Sequence, residues 1–157
     1  PMRVLFMCTA NSCRSILSEA MFNHLAPQGF EAVSSGSFPK GQVLPRSLST
    51  LQQAGISIDG LYSKGNDAFE GNPPDIVITV CDKAAGESCP VYFGPALKAH
   101  WGLEDPSGVT GDEAALDAAF RATLARIEQR CKAFLELPFN RISRDELKTG
   151  LDRIGLL

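Results

Sequence analysis

A chain of 157 residues with a formal net charge of −3 has room for one domain with a substantial core, and too little for two. Its mild acidity and lack of a long basic tract argue against nucleic acid as a partner. No apolar run is long enough to span a bilayer. The first residues form a strand-like segment instead of a signal-peptide core, so no membrane partner and a cytoplasmic location are expected.

The five cysteines, at positions 8, 13, 81, 89 and 131, are an odd set in mixed settings. That fits functional thiols in a reducing compartment better than a disulfide scaffold. With only His24 and His100 to assist them, nothing in the spacing asks for a metal site.

Arg3 to Met7 reads as a buried parallel strand, because Val4, Leu5, Phe6 and Met7 are continuously apolar. The polar stretch Cys8-Thr9-Ala10-Asn11-Ser12-Cys13-Arg14-Ser15 follows it and precedes a helical pattern. Successive backbone N–H groups in such a turn can converge on one anion. The helix start beyond adds free donors and a favourable dipole. The planar fork of Arg14 can pair with two anion oxygens. The same features would depress the pKa of Cys8 and favour its thiolate. A small buried cysteine ending a core strand is the plainer alternative. Ser15 is assigned to the Cys8 thiolate and Ser12 is a second hydroxyl donor. Asn11 either pins the loop or faces solvent as a turn residue. Cys13 is expected to pack beneath the loop.

From Ser15, Leu17, Met21 and Leu25 repeat on one helical face until Pro27 and Gly29 intervene. Glu19 on this helix either complements the dipole or organises the adjacent loop. Phe30 to Val33 is a second strand, followed by Ser34-Ser35-Gly36-Ser37. A helix runs from Pro45 to about Gly55. Loops then extend to Pro74, with a short helical piece at Asp67 to Phe69. Asp75 to Val80 is a strand that places Cys81 at its C-terminal end, the edge where open α/β sheets carry their ligands. Cys89 lies eight positions on. The residues between them contain Ala84-Ala85-Gly86 and form either a brief helix or a loop that carries Cys89. Leu97 to Trp101 is a fourth strand. Asp105, before Pro106, can supply a proton to a leaving oxygen or stabilise its own turn. A long helix begins near Asp112, with Leu116, Phe120, Leu124, Ile127, Cys131 and Phe134 on one stripe; Cys131 is a packing residue. Residues 138–157, mixed charged and apolar, form a C-terminal extension to a catalytic unit spanning 1–137, adding a short helix that packs against the sheet or against another subunit.

The stretch from Cys8 to Ser15, Val80-Cys81 with Cys89-Pro90, and His100-Trp101-Gly102-Leu103-Glu104-Asp105-Pro106-Ser107-Gly108 together resemble one family. It is the thioredoxin-coupled arsenate reductases of the low-molecular-weight phosphotyrosine phosphatase fold, and the likeness runs from about residue 2 to residue 136. The resemblance implies an open four-stranded parallel α/β sheet flanked by helices. It implies catalytic roles for Cys8, Arg14, Asp105, Cys81 and Cys89, with Thr9 to Ser15 as the anion loop. Cys8 would attack arsenate, Cys81 would attack Cys8 as arsenite leaves, and Cys89 would resolve the pair into a Cys81–Cys89 disulfide. Thioredoxin would reset it, with glutaredoxin and glutathione as the alternative donor. No tightly bound cofactor is implied. A potassium ion at Asn11, Glu19 and Ser34 is an additional expectation, although Tyr62 stands where a threonine is expected. Ala10 stands where glycine is common. Two rivals use the same loop: a low-molecular-weight tyrosine phosphatase, in which water regenerates Cys8, and a noncatalytic anion-sensing domain.

Overall fold

The computed structural model describes residues 1–157. Four parallel strands, β1 (Met2–Cys8), β2 (Phe30–Gly36), β3 (Ile76–Thr79) and β4 (Leu97–His100), form one sheet in the order β2-β1-β3-β4. Four α-helices accompany them: α1 (Arg14–Leu25), α2 (Pro45–Gln53), α3 (Glu113–Leu135) and α4 (Arg144–Ile154). Single 3-10 turns cover Asn66–Phe69, Lys83–Ala85 and Pro106–Gly108. The chain leaves β1 towards β2 on one side and later returns as β3 on the other. The C-terminal edge of β1 is therefore the switch point, where crossovers diverge and leave a crevice. Cys8 is the residue at that edge.

From Val4 to Cys8, β1 is apolar because both its faces are covered. Val4 and Phe6 join Ile76 and Ile78 in the main core, beneath Leu17 and Met21 of α1, Leu51 of α2, Phe120, Leu124 and Phe134 of α3, and Leu151 of α4. Leu5 and Met7 point the other way, with Val77 and Ala96, under Phe69 and Tyr92. That second cover comes from a 3-10 turn and a loop rather than from a helix.

Some boundaries differ from the sequence reading. β2 continues through Ser34, Ser35 and Gly36, which pair in register with Phe6, Met7 and Cys8. Serine and glycine have poor strand propensity, and the ladder with a central strand overrides it. The segment 138–157 packs onto the same core as the rest of the chain. Ser143 and Glu146 form a reciprocal capping box at the start of α4. Leu151 is fully buried, and its carbonyl accepts the Trp101 indole N–H at 3.0 Å. Arg130 of α3 donates to Gly102, Gly155 and Leu157 carbonyls, tying the C-terminal turn to the approach to Asp105. No helix is long and apolar enough to cross a membrane.

Candidate active site

The anion loop is held from outside by its carbonyl groups. Cys8 O accepts from Ser37 N, Thr9 O from Phe38 N, and Ala10 O from both Lys40 N and the Ser63 hydroxyl. Ser12 O accepts from Leu44 N and from the Ser47 hydroxyl. A trans peptide directs its N–H opposite to its carbonyl, so the amides of Thr9, Ala10, Asn11 and Cys13 turn inward. Asn11 N–H reaches Cys8 Sγ at 3.3 Å. The Ser15 hydroxyl lies 2.8 Å from the same sulfur, as expected of the group assigned to the thiolate.

The left-handed residue in this loop is Asn11, with φ of 48°, and not Ala10. Alanine at position 10 therefore carries no backbone strain. Asn11 is fully buried and does not face solvent. Its Nδ2 donates to Ser15 Oγ at 2.8 Å and to Ser34 Oγ at 3.0 Å, and its Oδ1 accepts from Lys64 N at 2.9 Å. Asparagine tolerates this conformation better than most residues, and the side-chain bonds fix it.

Gly36 explains how the loop can lie so close to β2. A Cβ at this position would stand 2.4 Å from Thr9 O and 2.9 Å from Asn11 N. Only glycine leaves that space free.

Glu19 organises the loop surroundings. Its carboxylate accepts from the Ser34 hydroxyl at 2.6 Å and lies 3.7 Å from Lys64 Nζ. Burial raises the Glu19 pKa and lowers that of Lys64, while each charge opposes the shift of the other. The residues named for a potassium ion do converge: Ser34 bonds to both Asn11 and Glu19, and the Lys64 ammonium reaches Asn11 and Glu19.

Arg14 donates to Leu103 O at 3.0 Å and pairs with Glu87 Oε2 at 2.9 Å. Glu87 belongs to the segment between Cys81 and Cys89, and its other oxygen accepts from Asp82 N. The Thr9 hydroxyl reaches Ser88 O of the same segment. Cys81 and Cys89 are joined as a disulfide with a Cα–Cα separation of 5.7 Å. A 3-10 turn at Lys83–Ala85 and left-handed Gly86 shorten the path between them. Cys81 is buried and Cys89 half-buried, with Val91 and Phe93 exposed just beyond. His100 sits beside the pair, its Nδ1 2.7 Å from the Thr79 hydroxyl.

Asp105 caps its own turn: its Oδ1 accepts from the Ser107 amide and hydroxyl at 3.0 and 2.6 Å. Its charge also acts on Arg14 and Cys13, so the turn stands within electrostatic reach of the loop. The thiols of Cys13 and Cys131 are buried, and burial pushes each up to about 12. Both side chains belong to the main core cluster.

Motif and spacing single out the loop, Cys81, Cys89 and Asp105, and the structure brings the loop against the segment that joins the two cysteines. Gly36, Lys64 and Glu87 were missed. Glu87 carried a usable signal, being an acid between two cysteines in a protein with an anion-binding arginine. Lys64 follows Tyr62 and Ser63 directly, and its place beside Asn11 and Glu19 depends on tertiary contacts that spacing does not show.

Residues 3–148 match the family described as low molecular weight phosphotyrosine protein phosphatase. The chain is 31% identical over 133 residues to an arsenate reductase of Bacillus subtilis, covering 85% of this chain and 94% of that protein. It is 31% identical, with the same coverage, to an arsenate reductase of Halalkalibacterium halodurans. Among solved structures, it resembles an arsenate reductase from Archaeoglobus fulgidus, with a TM-score of 0.72, 28% identity, and coverage of 85% of this chain and 99% of the other. It also resembles a thioredoxin-dependent arsenate reductase of Corynebacterium glutamicum, with a TM-score of 0.60, 28% identity, and coverage of 83% and 60%.

Proposed function

The chain belongs to the low molecular weight phosphotyrosine protein phosphatase family, and on that footing we propose that it is an arsenate reductase that draws its electrons from thioredoxin. The observation that carries this reading is the Cys81–Cys89 disulfide lying against the anion loop, which a hydrolytic phosphatase does not need.

Arsenate enters the cradle of inward amides, and Arg14, released from Glu87 once the disulfide is open, pairs with the substrate oxygens. The Cys8 thiolate, hydrogen-bonded by Ser15 and the Asn11 amide, attacks arsenic. An oxygen ligand leaves as water with a proton from Asp105, giving a thiol–arsenic(V) adduct. The Cys81 thiolate then attacks Cys8 Sγ. A sulfur–sulfur bond forms, the sulfur–arsenic bond breaks, and its electron pair reduces arsenic(V) to arsenic(III), which departs as arsenite. Cys89 attacks Cys81, restores the Cys8 thiolate and leaves Cys81–Cys89. The dithiol of thioredoxin reduces that disulfide. The exposed Val91 and Phe93 offer it an apolar approach. An internal disulfide favours thioredoxin over glutathione with glutaredoxin, because the chain presents a two-sulfur bond for a dithiol to open.

The deciding experiment is anaerobic arsenate turnover with thioredoxin and glutaredoxin systems side by side, with disulfide mapping. Cys8→Ser should abolish arsenite production. Cys89→Ser should allow one oxidation and block turnover. Multiple turnover by a Cys81→Ser/Cys89→Ser double variant would overturn the relay, and aryl phosphate hydrolysis with no arsenite from the wild type would restore the phosphatase reading.

A further inference from the structure

Lys64 is one of the few buried charges in the protein, with 8% of its surface exposed, and the steps above leave it without a task. Its ammonium donates to the Tyr62 carbonyl at 2.7 Å and to Asn11 Oδ1 at 3.5 Å. It lies 3.7 Å from Glu19 Oε1 and 4.3 Å from the centre of the Tyr62 ring. A carbonyl, an amide oxygen, a carboxylate and a ring face together make a cage for one positive charge. Lysine supplies that charge from within the chain. A free potassium ion does not fit alongside it, because the ammonium already takes up the carbonyl and amide oxygens.

The cage leads to the nucleophile through three hydrogen bonds. Asn11 Oδ1 accepts from the Lys64 side chain and backbone, so its Nδ2 faces the opposite way and donates to Ser15 Oγ at 2.8 Å. With that oxygen accepting, the Ser15 O–H is free to donate to Cys8 Sγ, 2.8 Å away. An ammonium cannot accept a hydrogen bond, so the order of donors runs one way, from Lys64 to sulfur. Such a chain polarises along its length and favours negative charge at its end.

We propose that the Lys64 ammonium is a built-in cation that orients Asn11 and Ser15 towards the Cys8 thiolate and makes the thiol chemistry independent of free monovalent ions. Lys64 is a positioning residue; it touches no reacting atom. The inference rests on Cys8 being the nucleophile of the proposed reductase, and its test reads Cys8 without arsenate.

The reduced full-length protein is alkylated with iodoacetamide at one neutral pH, and modification is followed on the Cys8 peptide by mass spectrometry. Potassium, ammonium and choline chlorides are compared at equal ionic strength, with a thermal melt on each sample. The wild type should react at one rate in all three salts. Lys64→Ala should react about tenfold more slowly in choline, since the chain of donors ending at sulfur has lost its charged start. Potassium or ammonium should restore most of that rate by entering the vacated cage. Lys64→Met, which fills the space without charge, should be slow in every salt. A packing role alone would not separate the two variants by their response to salt. Wild-type reactivity of folded Lys64→Ala in choline would overturn the proposal. So would a potassium-specific rise in the wild type, a comparison that holds even where the variants fail to fold. Arsenate turnover is measured in parallel: the expected alkylation pattern without arsenite would sink the reductase reading and leave this inference supported.

Discussion

Gly36 shows how little room one residue has at this site. Its missing Cβ is what lets Thr9 O and Asn11 N pass over β2. Gly36→Ala should therefore displace the loop, costing about 1–3 kcal/mol of stability and on the order of a hundredfold in turnover, since a shift near 1 Å at a reacting group has that effect. Urea unfolding and steady-state kinetics on the same sample check both. The buried cysteines make a different prediction. Cys13 and Cys131 are pushed from 9.0 up to about 12. Below pH 9 both the folded and the unfolded chain hold these protons, and the contribution to stability is fully present. As pH rises from 9 towards 12 the unfolded thiols ionise while the folded ones do not, so stability falls. Cys131→Ala should make that alkaline slope shallower by about one proton, read from unfolding free energies at several pH values under reductant. At this scale the sequence was informative wherever a residue type carries chemistry by itself, as Cys8 and Arg14 do. It was silent on Lys64, whose role depends on which oxygens surround it, and on Gly36, whose role is an absence of atoms.

Among the elements, the strands were the most legible, because a continuously apolar run such as Val4 to Met7 demands cover on both faces. What supplies the cover was not legible. One face receives helices, and the other receives Phe69 and Tyr92 from non-helical segments, which have no period to detect. β2 was read too short because its last residues are serines and a glycine, and only their ladder with β1 makes them a strand. For 138–157 the sequence left open whether its short helix packs on the sheet or on another subunit, and the structure packs it on the core. Leu151 is fully buried, its carbonyl accepts from Trp101, and the Gly155 carbonyl accepts from Arg130. Leu151→Ala should cost about 2–5 kcal/mol, seen as a lower urea midpoint with an unchanged slope. The backbone bond to Trp101 survives that change, so turnover per folded molecule should stay near the wild-type level.

At the scale of the whole molecule, three distant stretches of sequence meet at one end of the sheet: the loop after β1, the cysteine segment after β3 and the Asp105 turn after β4. Parallel topology causes this meeting, since every strand ends on the same edge. The motif order therefore already places these three stretches at one sheet edge. The pairing of Arg14 with Glu87 was not foreseeable in that way, and it has a consequence for timing. With the disulfide closed, the protein carries a tethered competitor for its own substrate: a carboxylate sits on the guanidinium that an incoming oxyanion needs. If that carboxylate departs only when the disulfide opens, oxyanion binding and reductive reset should alternate. Phosphate should bind the disulfide form about tenfold more weakly than the reduced form, and Glu87→Gln should narrow that gap, because the lost ion pair is worth about 1 kcal/mol or more in a partly buried setting. Calorimetric titration of phosphate into both redox forms measures it, and equal affinities would show that the gate is always open.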